Sequence, residues 1–318
     1  MKKHNFNAGP SILPEVVYEK TARAILDFNG TGLSILSISH RSKEFDEVMA
    51  QADSLLRELL DIPDNYKIIF IGGGASTHFF EVPANFLNTK AGYVNTGVWA
   101  KKAIKEAKRY GRTEVVASSE DRNFTYIPKG FDIPADLDYL HITTNNTIYG
   151  TRWDHIPDTG DVPLVADMSS NILSEVCDVR KFGVIYAGAQ KNVAPAGVTI
   201  VIARKDLVDD KDNQLSCCPT MLKWSVQAAN KSLYNTPPCF SMYVAMLVFR
   251  HLKKIGGVKA MEEINNKKAA LLYDFIDNSK LFKNYVRKED RSIMNVPFVT
   301  GNAELDAKFV KEATEHGL

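Results

Sequence analysis

The fold is decided by residues 184–191, VIYAGAQK, a short apolar run that ends in a lysine. The run does not alternate with polar residues, which is typical of a strand buried on both faces in a parallel sheet covered by helices. Three other short, β-rich runs, at residues 139–143, 163–166 and 198–203, have the same character. Helical patterns alternate with these strands, so the sequence predicts an α/β protein with a mainly parallel central sheet.

The helical patterns and the remaining strands define two regions. Helices are predicted over residues 14–28, from Ser42 to shortly before Pro63, and over 98–110, 240–255, 258–278 and 303–316. Ser42 is a good N-cap, and residues 67–71 and 114–117 are predicted strands. Residues 284–300 are strand-like. We interpret residues 1–255 as a large domain and residues 256–318 as a smaller C-terminal α/β domain.

Composition excludes several classes of protein. The 318 residues are 45% hydrophobic and 24% charged, and 39 basic against 38 acidic side chains leave a net charge of +1. Such a chain is neither disordered nor attractive to nucleic acid or an anionic membrane. No apolar run approaches the ~20 residues of a membrane span, and no signal peptide is expected. The dispersed thiols of Cys177, Cys217, Cys218 and Cys239 favour a reducing cytoplasm and no structural zinc.

Two charged residues follow buried strands. Asp167 comes directly after residues 163–166, and Lys191 follows residues 184–187. Ligands of open α/β sheets bind at the carboxyl ends of the strands, and a lysine among small apolar residues has a lowered pKa and acts as a nucleophile. Alone, the aspartate is more often a helix cap or part of a loop salt bridge, and the lysine is more often a surface residue that extends its amine into solvent. The presence of both Asp167 and Lys191 after buried strands favours a catalytic site.

Three further stretches have both a functional and a structural interpretation. The glycines of residues 72–76, GGGAS, follow a strand and open a helix, so they form either an anion site or a plain tight turn. Trp99 begins a helix and either stacks on a planar ring or packs in the core. Residues 234–238, YNTPP, hold an oxyanion or merely cap the next helix.

Seven motifs, in order, resemble those of the phosphoserine aminotransferases, class-V members of the fold-type-I pyridoxal-phosphate enzymes. They are residues 5–10 (NFNAGP), 39–42 (SHRS), 72–76 (GGGAS), 95–99 (NTGVW), 165–170 (VADMSS), 188–192 (GAQKN) and 232–238 (SLYNTPP). The likeness spans nearly the whole chain. It implies the fold-type-I architecture, pyridoxal 5'-phosphate as cofactor, and a cytoplasmic homodimer with shared active sites.

The resemblance also implies a reaction and a role for each matching residue. The reaction converts 3-phosphohydroxypyruvate and glutamate into O-phosphoserine and 2-oxoglutarate in serine biosynthesis; a further role in pyridoxine biosynthesis stays open. Lys191 would hold the cofactor covalently and move the proton, and Asp167 would pair with the pyridine nitrogen. The other implied cofactor contacts are Trp99 on the ring, Thr147 at the ring oxygen, Ala75, Ser76 and Gln190 at the phosphate, and Asn235 and Thr236 from the other subunit.

His40 and Arg41 precede the helix that Ser42 caps, and two basic side chains at a helix N-terminus suit an anion. The motif alone equally fits a solvated capping turn; the resemblance favours substrate binding in the partner subunit's site. Family members continue past the position of Leu318 and carry a late arginine for the substrate carboxylate. Either the natural chain is longer than this sequence, which we expect, or this version lacks the arginine.

Four alternatives remain. An alanine–glyoxylate-type aminotransferase has the same fold. A cysteine desulfurase needs a late catalytic cysteine, and none follows Cys239. A non-catalytic dimer of the same fold is the third alternative. A dinucleotide dehydrogenase is disfavoured because no GxGxxG motif is present.

Overall fold

The computed structural model describes residues 3–209 and 214–318. The helices are α1 (Glu15–Leu26), α2 (Lys43–Leu60), α3 (Gly74–Phe86), α4 (Val98–Ala107), α5 (Lys205–Asp209), α6 (Trp224–Ala229), α7 (Cys239–Lys254), α8 (Gly257–Asp277) and α9 (Ala303–Glu315). The strands are β1 (Tyr66–Gly72), β2 (Lys90–Asn95), β3 (Arg112–Ser118), β4 (Tyr139–Thr143), β5 (Asn145–Asn146), β6 (Thr151–Arg152), β7 (Leu164–Asp167), β8 (Val184–Gly188) and β9 (Val198–Arg204).

The described residues form a seven-stranded sheet in the order β1-β9-β8-β7-β4-β2-β3. Strands β2, β3, β4, β7 and β8 pair in parallel, so the predicted mainly parallel sheet is confirmed. The parallel direction expected for residues 198–203 is wrong, because β9 is antiparallel to both β8 and β1. Only residues 189–197 separate β8 from β9, which is shorter than the crossover that a parallel neighbour needs.

This topology brings one end of most strands to a single edge. Because β9 is reversed, β1 runs in the same direction as β8 and the other parallel strands. The carboxyl ends of β1, β2, β4, β7 and β8 therefore meet at one edge of the sheet, together with the amino end of β9. Residues that follow these strands come together there, although they are far apart in the sequence.

Both faces of the sheet are covered. In β1, Ile68 and Phe70 belong to one apolar core, while Ile69 and Ile71 belong to the core on the opposite face. The first core includes α1, α2 and α7, and the second includes α3, α4 and α6. A strand buried on both sides explains why the apolar runs show no polar alternation.

The predicted helices start and end close to the expected residues. In α2, the Ser42 side chain accepts a hydrogen bond from the Phe45 backbone N–H at 3.3 Å, as its N-cap role predicts. Helix α7 follows Pro237 and Pro238 and is buried along most of its length. No helix in the described ranges is long and apolar enough to cross a membrane.

The strand expected within residues 284–300 is wrong. This segment holds isolated bridges, Thr151–Arg291 and Lys283–Val299, and a short 3-10 turn, Lys288–Asp290. Pro297 lies within the segment and has no N–H to donate to a ladder. A side chain supplies a hydrogen bond here in place of a backbone ladder: the Asn284 amide donates to the Pro297 carbonyl at 2.6 Å. The helix expected after it is present as α9. The division into domains at residue 255 stays a prediction.

Candidate active site

A cavity of about 410 Å³ opens at the edge where the parallel strands end. Its lining residues lie at or just after the ends of β1, β2, β4, β7 and β8, or just before β9, and one comes from the N-terminal segment. They are Pro10, Gly73, Gly74, Ala75, Ser76, Trp99, Thr143, Asn145, Thr147, Asp167, Ser169, Ser170, Gln190, Lys191, Ala196 and Gly197. Seven of the predicted site residues are among them: Ala75, Ser76, Trp99, Thr147, Asp167, Gln190 and Lys191.

Lys191 extends into this cavity from the turn after β8. Its Nζ donates a hydrogen bond to Thr147 Oγ1 and lies 5.4 Å from the centre of the Trp99 ring. Burial lowers the pKa of Lys191, and the negative charge of Asp167 acts against this shift. Gly9 lies against the aliphatic part of the Lys191 side chain. A Cβ at Gly9 would be only 2.8 Å from Lys191 Cγ, so a larger residue would collide with it. The amine is therefore held in place and is easier to deprotonate than a surface lysine.

Asp167 is the last residue of β7, and it is 5% exposed. The Ser169 backbone N–H donates to Asp167 Oδ1 at 2.9 Å. Burial raises the pKa of the Asp167 carboxyl, while the hydrogen bonds from Ser169 and the charge of Lys191 lower it. A buried carboxylate facing a cavity is suited to a cationic N–H of a ligand, because such a partner compensates its lost hydration.

The opposite wall is the start of α3. Gly73 and Gly74 have φ values of +111° and +68°, which favour glycine, and a Cβ at Gly73 would lie 2.2 Å from Thr77 Oγ1. No side chain caps this helix. The first N–H groups of an uncapped helix have no partner within the helix and attract anions. The predicted strand–turn–helix is confirmed, with Ala75 and Ser76 in its first turn.

Gln190 and Gly188 lie next to that turn. A Cβ at Gly188 would be 2.7 Å from Gln190 Oε1 and 3.4 Å from the Ala75 amide nitrogen. The glycine therefore leaves room for the Gln190 side chain beside the Ala75 N–H, as the predicted phosphate site requires.

Trp99 lies in the first turn of α4, and its indole Nε1 has no hydrogen-bond partner in the described structure. Gly97 precedes the helix with a φ of +153°, and a Cβ there would lie 2.8 Å from the Tyr149 ring. The Lys102 amine lies 4.5 Å from the Trp99 ring centre, outside the cavity lining. Trp99 thus lines the cavity and also packs against the second apolar core.

Four predicted residues do not reach this cavity: His40, Arg41, Asn235 and Thr236. Arg41 and Thr236 are exposed. The Arg41 side chain forms no ion pair with any described residue, and His40 Nε2 is buried without a hydrogen-bond partner. Asn235 Oδ1 accepts a hydrogen bond from Gln227 Nε2 at 3.1 Å. Within one chain, these residues are separate from Lys191.

The cavity is also lined by Asn145, Ser169 and Ser170, for which the sequence motifs predict no role. The Asn145 amide donates to Ser170 Oγ at 2.9 Å and to Asn295 Oδ1 at 2.8 Å. It also accepts from Ser292 Oγ at 2.5 Å. This network ties the cavity wall to the segment after α8. The only signal in the sequence is the position of Ser169 and Ser170 two and three residues after Asp167.

Comparison with known proteins agrees with this geometry. The family model of the class-V aminotransferases matches residues 3–315. The chain belongs to this family. A phosphoserine aminotransferase of Listeria monocytogenes serovar 1/2a is 56% identical over 318 residues, which cover 99% of this chain and 86% of the relative. A phosphoserine aminotransferase of Bacillus cereus is 54% identical over 319 residues, covering 99% of this chain and 88% of the relative.

Solved structures of the class-V family are similar throughout the chain. The phosphoserine aminotransferase from Bacillus circulans subsp. alkalophilus superposes with a TM-score of 0.96 at 44% identity, covering 99% of this chain and 88% of that one. A PLP-bound phosphoserine aminotransferase from Trichomonas vaginalis gives a TM-score of 0.94 at 35% identity, covering 100% of this chain and 91% of that one. The fold predicted from the motifs is confirmed.

Proposed function

We propose that this protein is a pyridoxal-phosphate-dependent aminotransferase that converts 3-phosphohydroxypyruvate and glutamate into O-phospho-L-serine and 2-oxoglutarate in serine biosynthesis. One observation carries the proposal: Lys191, Asp167 and the uncapped start of α3 line one cavity. The activity named for the relatives, at 54–56% identity over nearly the whole chain, supports this choice of substrates.

The cavity fits this cofactor at three places. The uncapped amides of Ala75 and Ser76 suit a phosphate, and the buried Asp167 carboxylate suits a protonated ring nitrogen. Lys191 lies between the Trp99 ring and Thr147. When bound, the cofactor supplies an electron sink for the bond being broken at the substrate carbon.

The chain's own residues supply attachment, orientation and proton transfer. Asp167 holds the ring-nitrogen proton, and the phosphate is bound at the start of α3. Trp99 would stack on the ring and Thr147 would hydrogen-bond to its oxygen. Lys191 holds the cofactor and, with its lowered pKa, accepts and returns the proton at the substrate Cα.

We further propose a homodimer with shared active sites. His40, Arg41, Asn235 and Thr236 lie outside the cavity of their own chain, so a second copy would have to bring them to it. Large apolar side chains in the N-terminal segments are exposed, as expected for a surface that another chain covers: Phe6, Ile12, Leu26, Leu33 and Leu36. Four free cysteines support a cytoplasmic location.

The proposed function is tested by two measurements. Borohydride reduction of the cofactor-loaded protein, followed by peptide mapping, should label Lys191. In a separate sample that has not been reduced, O-phosphoserine should remove the visible absorbance of the lysine-bound cofactor much faster than alanine does, with release of the phosphorylated keto acid. Equal reaction with both amino acids would favour the alanine–glyoxylate-type alternative, and no cofactor absorbance would favour the non-catalytic dimer.

A further inference from the structure

Helix α3 contains two buried titratable groups that the proposed reaction does not use. His78 and Glu81 are both 0% exposed, and His78 Nε2 lies 3.0 Å from Glu81 Oε2. On its other side, His78 Nδ1 lies 2.9 Å from the Gly74 carbonyl oxygen. Glu81, His78 and Gly74 therefore form a chain of contacts that leads from the middle of the helix to its first residue.

The positions of the protons in this chain follow from the atoms involved. A carbonyl oxygen only accepts, so the hydrogen toward Gly74 must be on His78 Nδ1. A neutral imidazole then has an unprotonated Nε2, which also only accepts. An ionised Glu81 would place two acceptors 3.0 Å apart with no hydrogen between them, which is unfavourable. The structure gives His78 Nε2 and both Glu81 oxygens no hydrogen-bond partner, so a proton on one of the two groups is what relieves this contact.

Burial decides which group carries that proton. Burial raises the pKa of the Glu81 carboxyl and lowers the pKa of the His78 imidazole, so both groups shift toward their uncharged forms. Glu81 is then a neutral acid, and its carboxyl is the group that can supply a hydrogen to His78 Nε2, 3.0 Å away. The Tyr186 ring, stacked on the imidazole at 5.4 Å, and the Trp224 ring, at 6.0 Å, hold the plane of His78.

Gly74 connects this pair to the cavity. The Gly74 C=O and the Ala75 N–H belong to the same planar peptide group, in which the two bonds point in opposite directions. A hydrogen bond that holds the carbonyl oxygen therefore also sets the direction of the Ala75 N–H. Ala75 lines the cavity, and its nitrogen would lie 3.4 Å from a Cβ at Gly188.

We infer that Glu81 and His78 are positioning residues that orient the Gly74–Ala75 peptide so that its N–H binds the phosphate of the cofactor. The two side chains act through Gly74 and touch neither the cofactor nor the substrate. The inference rests on the proposed function, because it assumes that pyridoxal phosphate occupies the cavity. It predicts that the pair matters for a ligand with a phosphate and not for one without.

The test compares the binding of pyridoxal phosphate with that of pyridoxal, which lacks the phosphate. Glu81→Met removes the proton donor at similar volume, and Glu81→Gln keeps an N–H donor for His78 Nε2. His78→Leu probes the other partner in case Glu81→Met does not fold. Tyr93→Phe is the matched control, since it removes another buried contact, the 2.7 Å Tyr93–Tyr139 hydroxyl pair, on the same face of the sheet.

We expect Glu81→Met and His78→Leu to weaken pyridoxal phosphate binding about tenfold, with pyridoxal binding unchanged. Glu81→Gln and Tyr93→Phe should keep the wild-type ratio of the two dissociation constants. Nitrogen-15 NMR of labelled histidine should show His78 as the neutral, Nδ1-protonated tautomer in the wild type and in Glu81→Gln, before any cofactor is added.

Equal weakening for both ligands would mean general damage to the fold and would overturn the inference. An unchanged ratio in Glu81→Met and His78→Leu, or a tautomer protonated at Nε2, would overturn it as well. These results leave the proposed function intact, since the wild type still binds the cofactor. If the wild type binds neither ligand, the proposed function fails and this inference with it.

Discussion

Asp167 and Lys191 act on each other electrostatically across the cavity. The carboxylate raises the pKa of the lysine and the lysine lowers the pKa of the carboxyl, while burial acts in the opposite sense on each. Asp167 is the last residue of β7, and Lys191 follows the adjacent parallel strand β8. Asp167 is paired with Tyr186 of β8. A bound ligand that carries its own cationic N–H to Asp167 therefore changes the charge balance around Lys191 as well.

Replacing Lys191 with alanine should remove covalent cofactor attachment and reduce transamination by several orders of magnitude, because no other group supplies the amine. The fold should persist, since the neighbouring residues are small. Lys102→Ala is the matched control: this amine also lies near Trp99, at 4.5 Å, but outside the cavity lining. Mass spectrometry after borohydride reduction checks both variants, and a labelled lysine in Lys191→Ala would contradict the assignment.

Asp167→Asn should still bind the cofactor but lose turnover by orders of magnitude. An amide has nearly the shape of a carboxylate yet carries no charge to hold a proton on the ring nitrogen. Asp136→Asn, on the surface beside Lys90, serves as the control. Steady-state rates and the cofactor's absorbance measure the two effects separately. Near-normal turnover in Asp167→Asn would remove this residue from the mechanism.

Arg41→Ala should raise the KM for the phosphorylated keto acid about tenfold to a hundredfold, the cost of one charge-assisted hydrogen bond. The cofactor spectrum should stay unchanged, because Arg41 is predicted to bind the substrate and not the cofactor.

Mixed dimers show which subunit Arg41 serves. A heterodimer of one Arg41→Ala and one Lys191→Ala subunit has one intact site if Arg41 acts in the partner's site, and none if it acts in its own. Activity should therefore reappear on mixing, in proportion to the heterodimer fraction. Mixtures without such recovery would confine Arg41 to its own subunit or to the surface.

Glu81 and His78 give the stability of the protein a defined pH dependence. Burial raises the pKa of Glu81 from 4.5 to about 8, so folded Glu81 keeps a proton that the unfolded chain loses, and stability falls as pH rises through this range. Burial lowers the pKa of His78 from 6.5 to about 4, so stability rises with pH there. The two effects oppose each other below pH 6.5, and only the Glu81 effect remains above it.

We therefore expect the free energy of unfolding to fall by about 2 kcal/mol between pH 6.5 and 8. Glu81→Gln cannot titrate and should show no such fall. Urea unfolding of both proteins at the two pH values measures the difference. A wild type as stable at pH 8 as at pH 6.5 would show that the Glu81 carboxyl is not held neutral.

Local patterns were enough where the physical cause is itself local. Ser42 caps α2 because its side chain reaches an N–H three residues away, and the glycines after β1 form a turn because other residues disfavour the positive φ values found there. The strands before Asp167 and Lys191 were predicted from apolar runs alone. An apolar run indicates that a strand is buried, but it does not indicate whether the strand is parallel or antiparallel to its neighbours. The antiparallel direction of β9 therefore cannot be predicted from its sequence.

The sequence by itself determined the class of fold, the family and the seven predicted residues that line the cavity, because strand ends and family motifs are local properties. Only the tertiary structure decided what depends on distant parts of the chain. It placed Asn145 against Asn295, 150 residues away, and kept Arg41 and Asn235 apart from Lys191. It also buried His78 and Glu81 completely. Their spacing shows that they share one face of a helix, but solvent is excluded, and both groups shift toward their uncharged forms, only when that face packs against Tyr186 and Trp224.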